Sequence, residues 1–391
     1  MKRTLLIPAL LDHHWPLLKW AFESADWHAV VLEDREHIED IGLRAVHNDL
    51  CYPFVLITGQ VLSALRSGKY APEHTSVLIS QAGDACRGSC LIRLLRPVLD
   101  REGFAQVPLL SFNVRGIEQR AALPFSLTMV RRALAAAIWG DALILLGHQT
   151  RPYELHHGEA DRLLQRWTDR LSLYLQKNQS LSPSGILDRC REMAIDFRSI
   201  SRVERNIQKI ALVGDIYTKY CHLGNWDLEA YLESQGCEVA VNGLTWHMLY
   251  YLDTHLDTGP LPLRAAGKVL LAWGTRLQKQ VIRILQEAGF TVLPTCGQLK
   301  KLSAAYSTTG CAVGSGWLMT GEIAAWVQSG YSKVLAALPF ACLPGHIYGR
   351  GQYAALQRKL PGSMIVGVDY DASIRDGTVE TRVRMLLDQT I

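Results

Sequence analysis

The sequence predicts an α/β protein of two Rossmann-like or flavodoxin-like domains, residues 1–115 and 206–391, with a helical subdomain, 116–205, between them. Three observations carry this. Short apolar runs alternate with helix-periodic segments in the first third, helical periodicity alone governs the middle, and strand–helix alternation resumes after "RNIQ". A chain of 391 residues also exceeds what one small core organises.

In the first domain, "RTLLIPAL", "HAVVLE", "SVLIS" and "VPLLSF" read as strands. "HWPLLKWAFESA" and a segment running through Gln60 to Leu65 read as the intervening helices. The middle block contains "TMVRRALAAAIWGDALILLGHQ" and "EADRLLQRWTDRLSLYLQ", whose apolar residues recur at helical spacing. In the last domain "KIALVGDIY", "CEVAV", "KVLLAW", "FTVLP", "KVLAALPF" and "SMIVGVDY" read as strands. "NWDLEAYLESQG", "TRLQKQVIRILQEAG" and "TGEIAAWVQSG" read as helices that stop at glycine. Two α/β halves with a cleft between them follow, without a convincing sequence repeat.

Composition narrows the function. Lys plus Arg number 41 against 37 Asp plus Glu, and no long basic run marks a nucleic-acid groove or an anionic membrane surface. The apolar run at the N-terminus is short and is interrupted by Pro8 and Asp12, so it reads as a buried first strand rather than a signal peptide. No uninterrupted apolar stretch approaches the roughly 20 residues of a membrane span. The expectation is a soluble cytoplasmic protein with neither nucleic acid nor membrane as partner. Nine cysteines form an odd set without the spacing of a small secreted scaffold, which suits free thiols, some of them metal ligands.

In open α/β sheets ligands bind beyond the carboxyl ends of the strands. Cys51, in "HNDLCYPF", precedes a helix with Pro53 in its first turn. Cys86 follows the strand "SVLIS" and a turn containing Gly83, and Cys342 follows "KVLAALPF". Three thiolates at such ends, helped by backbone N–H groups and helix dipoles, suit an iron-sulfur cluster with one non-cysteine position, or zinc. Their separations match no compact CxxC pattern, and a free cysteine is more often a small buried hydrophobe. "GDIYTKYCHLGNW" adds Asp215, Tyr217, Cys221 and His222 as a substrate rim or a solvated loop. "VGSGWLMTGE" lacks the Walker lysine, and Asp369 and Asp371 suit a turn cap better than a metal. Arg350 suits a phosphate or carboxylate contact, or simply a solvated surface.

Taken together, "NDLCYP", "SQAGDACRGS", "VGDIYTKY", "GNWDLEAYLESQG", "GWLMTGEI", "PFACLPGHIYGRG" and "VDYDAS" resemble, in order, the 2-hydroxyacyl-CoA dehydratase superfamily. The likeness is greatest to the CoA-enzyme activase-like proteins associated with dehydratase activases. It runs from about Leu5 to Leu387 and is weakest in the helical middle. The resemblance implies Cys51, Cys86 and Cys342 as ligands of a 4Fe-4S cluster at the interdomain cleft. A double-cubane 8Fe-9S cluster would want six thiolates, for which Cys90, Cys221 and Cys311 are the reserve. Cys190, Cys237 and Cys296 match nothing in the family and keep the core reading.

The resemblance further implies low-potential electrons supplied by an ATP-hydrolysing activase of actin-like fold. The chain would then be a reductase or dehydratase component, a lyase or oxidoreductase acting by ketyl radical dehydration or by reduction of a small molecule. His346, Arg350 and Tyr217 are the candidate substrate-side groups, and a homodimer or a heterodimer with a related subunit is the expected assembly. Three motifs depart from the family pattern: Gly345 where "CLPNH" is usual, "GDACR" for "GGCR", and "DYDAS" for "DYDPG". Those departures give weight to an alternative, a non-catalytic electron carrier or cluster scaffold without a substrate pocket.

Overall fold

The structure, a computed structural model, describes residues 2–81, 86–111, 126–255, 261–373 and 376–389. The turn through Gly83 and the 115/116 domain boundary lie outside the described residues.

Two four-stranded parallel sheets organise the chain. The first comprises β1 (Arg3–Ile7), β2 (Trp27–Val31), β3 (Thr75–Ile79) and β4 (Leu109–Ser111), in the order β2-β1-β3-β4. Helices α1 (Trp15–Phe22), α2 (Ile38–Ala45), α3 (Tyr52–Arg66) and α4 (Leu91–Arg101) connect them. Three helices follow: α5 (Leu127–His148), α6 (Glu159–Gln176) and α7 (Pro183–Ser199). The second sheet comprises β5 (Lys209–Gly214), β6 (Glu238–Val241), β7 (Lys333–Pro339) and β8 (Met364–Tyr370), in the order β6-β5-β7-β8. Each sheet therefore runs second, first, third, fourth strand, although the sequence carries no visible repeat.

Between β5 and β6 lie α8 (Ile216–Tyr220), α9 (His222–Asn225) and α10 (Leu228–Ser234). Between β6 and β7 lie α11 (Leu244–His255), α12 (Leu261–Glu287), α13 (Cys296–Ser303) and α14 (Gly316–Gln328). The chain ends in α15 (Tyr353–Lys359), β8 and α16 (Asp376–Asp388). Among the described residues no helix is long and apolar enough to cross a membrane.

Two expected strands are absent. "KVLLAW" lies inside α12, because nothing between Leu261 and Glu287 halts a helix once it has begun; Val269 and Leu270 stand exposed on it. "FTVLP" forms no strand and joins neither sheet. Its Thr291 instead pairs with a side-chain amide: the Thr291 N–H donates to Gln149 Oε1 at 2.8 Å, and Gln149 Nε2 donates to the Thr291 carbonyl at 2.7 Å. That pair supplies the hydrogen bonds a neighbouring strand would have given.

The two faces of the second sheet feed different cores. Ile210 and Leu212 of β5, with Leu335 and Ala337 of β7, join the apolar cluster that also holds β1, β3 and α3 of the first half. Ala211 and Val213, with Val334, Ala336 and Leu338, join the cluster of α5–α7 and α11–α14. Strand alternation produces this division directly.

A buried polar contact ties the parts together. His14 Nε2 lies 2.8 Å from Asp141 Oδ1 on α5, and Asp141 in turn accepts from the N–H groups of Leu244 (2.6 Å) and Thr245 (2.9 Å) at the start of α11. One carboxylate thus caps a helix of the second half while holding a loop of the first.

Candidate functional site

The third strand of each sheet leads to a cysteine. β3 is followed by Cys86, which opens the short 3-10 turn Arg87–Cys90, and β7 by Cys342, just before Pro344. Order second-first-third puts a topological switch beside the third strand, where neighbouring connections leave in opposite directions and open a crevice. Cys51 arrives differently, as the residue before α3 with φ −57° and ψ 130°, which directs its side chain past the first helical turn.

Each of these thiols meets a backbone amide. Gly88 N–H donates to Cys86 Sγ at 3.2 Å. The amides of Phe54 and Gly345 lie against the thiols of Cys51 and Cys342 respectively. Gly345 is required by space: a Cβ there would come within 2.8 Å of Leu338 Cδ2 and 3.3 Å of Cys342 Sγ. Ala341 sits in the left-handed region at φ 54°, turning the chain sharply out of β7.

The three thiols feel one another. Burial first, then the Asp215 carboxylate, pushes Cys51 up to about 12; Arg87 opposes this and Cys86 adds to it. Cys342 is pushed up by burial, then by Asp215, and also by Cys51 and Cys86. Arg87 ties the loops: Nη1 donates to the Asp49 carbonyl at 2.9 Å, and Nη2 donates to the carbonyls of Ala341 at 2.9 Å and Phe340 at 3.4 Å. Asp215 is the residue that precedes α8 and accepts from Tyr217 N–H at 2.9 Å, and burial raises its carboxyl. Among the described residues, no three of the cysteines bring their sulfurs within 4.8 Å of one another.

The remaining cysteines are dispersed. Cys90 is exposed at the end of the 3-10 turn begun by Cys86. Cys221 is buried; burial, then the Asp12 carboxylate, pushes it up to about 12, and the Tyr217 hydroxyl opposes this. Cys311 accepts from Val313 N–H at 3.4 Å and lies beside Tyr348. Cys190, Cys237 and Cys296 are core residues, and burial raises all three.

The expected substrate-side groups are largely engaged within the protein. Tyr217 is 2% exposed, with its ring against Gly224 and its hydroxyl beside Cys221. His346 Nδ1–H donates to the Cys342 carbonyl at 2.8 Å, which leaves Nε2 as the acceptor nitrogen. Arg350 Nη2 is held 2.6 Å from Asp369 Oδ2 on β8. Asp371 accepts from Ser373 N–H at 2.8 Å and from Asn48 Nδ2 at 3.2 Å, so it caps a turn and bridges the halves. Around Cys342, the large apolar side chains of Phe340, Leu343 and Ile347 stand exposed.

A second polar cluster escaped sequence reasoning. His13, His148 and Glu229, from the β1 exit loop, the end of α5 and α10, bring one ligand atom each within 4.8 Å of the others. No short motif could have marked them, because the three segments meet only in the folded chain. The adjacent histidines of "LLDHHWP" were the single visible cue. No family model and no curated protein matches the chain.

Proposed function

We propose that this chain is an iron-sulfur protein of the 2-hydroxyacyl-CoA dehydratase type, with Cys51, Cys86 and Cys342 holding a 4Fe-4S cluster in the cleft between its two α/β halves. One observation carries the reading: thiols from both halves gather near Asp215, each against a backbone amide, with Arg87 bridging their loops. Sulfurs wider apart than a single ion's ligands suit a cubane, whose irons occupy separate corners. Bound there, the cluster would supply one-electron chemistry at low potential.

The chain's own residues have defined tasks in this reading. The amides of Phe54, Gly88 and Gly345 offset negative charge on the thiolates. Cys51 and Cys342 are half-buried, which limits water at the sulfurs, and their protons must leave when iron binds. The exposed apolar rim of Phe340, Leu343 and Ile347 suits the docking of a protein electron donor, here an ATP-hydrolysing activase, close to Cys342.

A second reading, electron carrier or cluster scaffold, is favoured by the engagement of the substrate-side groups. Tyr217 is buried, Arg350 is paired with Asp369, and His346 is bound to the Cys342 carbonyl. Anaerobic reconstitution with iron and sulfide tests both readings. About four irons per chain and a reduced-state EPR signal are expected, with sharp loss in Cys51→Ser, Cys86→Ser and Cys342→Ser; about eight irons would indicate a double cubane. No bound iron would overturn both readings. Supplying reduced activase, ATP and acyl-CoA thioesters then separates them, since electron uptake without turnover favours the carrier.

A further inference from the structure

The His13 cluster lies apart from the thiols, and its geometry is unusual for a purely structural network. Glu229 Oε2 is its hub, 2.6 Å from His13 Nε2 and 3.1 Å from His148 Nε2. His222 Nε2 lies 3.3 Å from His13 Nε2 and 4.0 Å from the same carboxylate oxygen. Three imidazole nitrogens therefore turn toward one oxygen. His148 and Glu229 side chains are only 3% and 4% exposed, whereas those of His13 and His222 are 21% and 25% exposed.

Two atoms point to a missing partner. Glu229 Oε1 is buried without a hydrogen bond, and His148 Nε2 has only its 3.1 Å approach to Glu229 Oε2. A buried polar atom left unsatisfied costs roughly 1–3 kcal/mol, so the cluster calls for a ligand that accepts both nitrogen and oxygen donors. The far side of His148 is built to match. Nδ1 meets Glu233 Oε1 at 2.7 Å, and Arg151 holds Glu233 in turn. A carboxylate behind an imidazole fixes its tautomer and raises its basicity toward a metal. His222 is anchored through its backbone, whose N–H donates to Asp12 Oδ2 at 2.7 Å, while its ring Nδ1 lies 3.8 Å from the same oxygen.

We propose that His13, His148 and Glu229, with His222 beside them on the open side, bind one divalent transition-metal ion of the zinc or ferrous class. Tetrahedral zinc bonds of about 2.0–2.1 Å set ligand atoms about 3.3 Å apart. His13 Nε2 and His148 Nε2 stand 2.6 and 3.1 Å from the Glu229 oxygen and His222 Nε2 stands 4.0 Å from it, so His13 must move out, and His222 in, by about 0.7 Å to reach that spacing. Imidazole and carboxylate donors suit zinc and iron and disfavour calcium or magnesium, which take oxygen ligands. His222 faces a cleft lined by Arg35, Ile38, Glu39, Trp226 and Asp227, so a water or small anion can reach the ion from that side. The ion would join the first sheet's exit loop, the central helix and the second half at one point.

The test is titration of the chelator-treated full chain with Co(II), followed by competition with Zn(II). The expected result is one ion per chain after gel filtration, visible ligand-field bands of a nitrogen and oxygen site, and no near-ultraviolet thiolate charge transfer. His13→Asn and Glu229→Gln should each weaken binding at least tenfold. Circular dichroism of His13→Asn confirms folding, and that variant decides the matter if Glu229→Gln does not fold. Failure to retain Co(II), retention with a thiolate band, or unchanged affinity in His13→Asn overturns the proposal. The titration is read on the chain with Cys51, Cys86 and Cys342 all changed to serine, which removes any Co(II) held by those thiols and makes the outcome independent of iron-sulfur reconstitution.

Discussion

Replacing Glu322 with glutamine should cost this protein about 3 kcal/mol of folding stability. Glu322 on α14 and Lys219 on α8 are 2% and 4% exposed, and the lysine Nζ lies 3.3 and 3.4 Å from the two carboxylate oxygens. Asn242 Nδ2 adds a 2.8 Å bond to Oε1. Breaking a buried pair by removing one charge typically costs 3–5 kcal/mol, because the other charge stays buried without compensation. The long contacts, and the Tyr220 ring 4.7 Å from Nζ, place this pair at the lower end. Against a typical total of roughly 5–15 kcal/mol, that is a large fraction. Equilibrium urea unfolding followed by tryptophan fluorescence measures it. Lys219→Met should match Glu322→Gln, while the double variant Lys219→Met with Glu322→Gln should cost about 4 kcal/mol rather than an additive total of about 6, a coupling of about 2 kcal/mol. A Glu322→Gln variant within about 1 kcal/mol of the parent, or strict additivity in the double variant, refutes the reasoning.

Arg87→Ala should loosen the thiol loops, since one guanidinium spans the carbonyls of Asp49, Phe340 and Ala341. Alkylation of Cys51 and Cys342 in the metal-free chain, followed by mass spectrometry, should quicken several-fold, and Arg87→Lys should not restore the slow rate because it lacks the fork. Gly243→Ala should cost about 2–4 kcal/mol in thermal or urea unfolding, because its Cβ would lie 2.3 Å from Asp141 Cγ and displace the carboxylate that caps α11; wild-type stability would show that Asp141 moves freely. Burial, then Lys219 and His255, hold His247 down at about 3. Its neutral form therefore contributes stability that is present above the unfolded value near 6.5 and is lost as pH falls toward 3, by up to about 1.4 kcal/mol per pH unit. His247→Gln should flatten that acid slope, and identical acid profiles for the two proteins would rule the effect out.

The sheets were readable where apolar runs were short and closed by turns, as in β1, β5 and β7. "KVLLAW" misled because five apolar residues in a row suit a buried strand and a helix equally; only the continuous helix around them decides. "FTVLP" misled because strand propensity does not reveal which partner a segment will meet, and here the Gln149 side chain takes the backbone hydrogen bonds of Thr291. Cys51, Cys86 and Cys342 stood out because each carries its own local context of turn and helix start. His13, His148 and Glu229 carry none: an exit loop, a helix end and a short helix contribute one side chain each, and spacing along the chain is silent about such meetings. The substrate-side candidates rest on motifs after β5 and beside Cys342, and such motifs do not reveal that Asp369 engages Arg350.

The central helix α5 limits how the chain can be taken apart. The β5 face that carries Ile210 and Leu212 shares its apolar cluster with Leu228 and Leu232 of α10 and Val383 and Leu386 of α16, helices of its own half. Helix α5, by contrast, packs against α1 of the first half and against α11 and β6 of the second. A cut just before α5 should therefore strip α1 of its cover, and the two fragments should associate in solution through that helix.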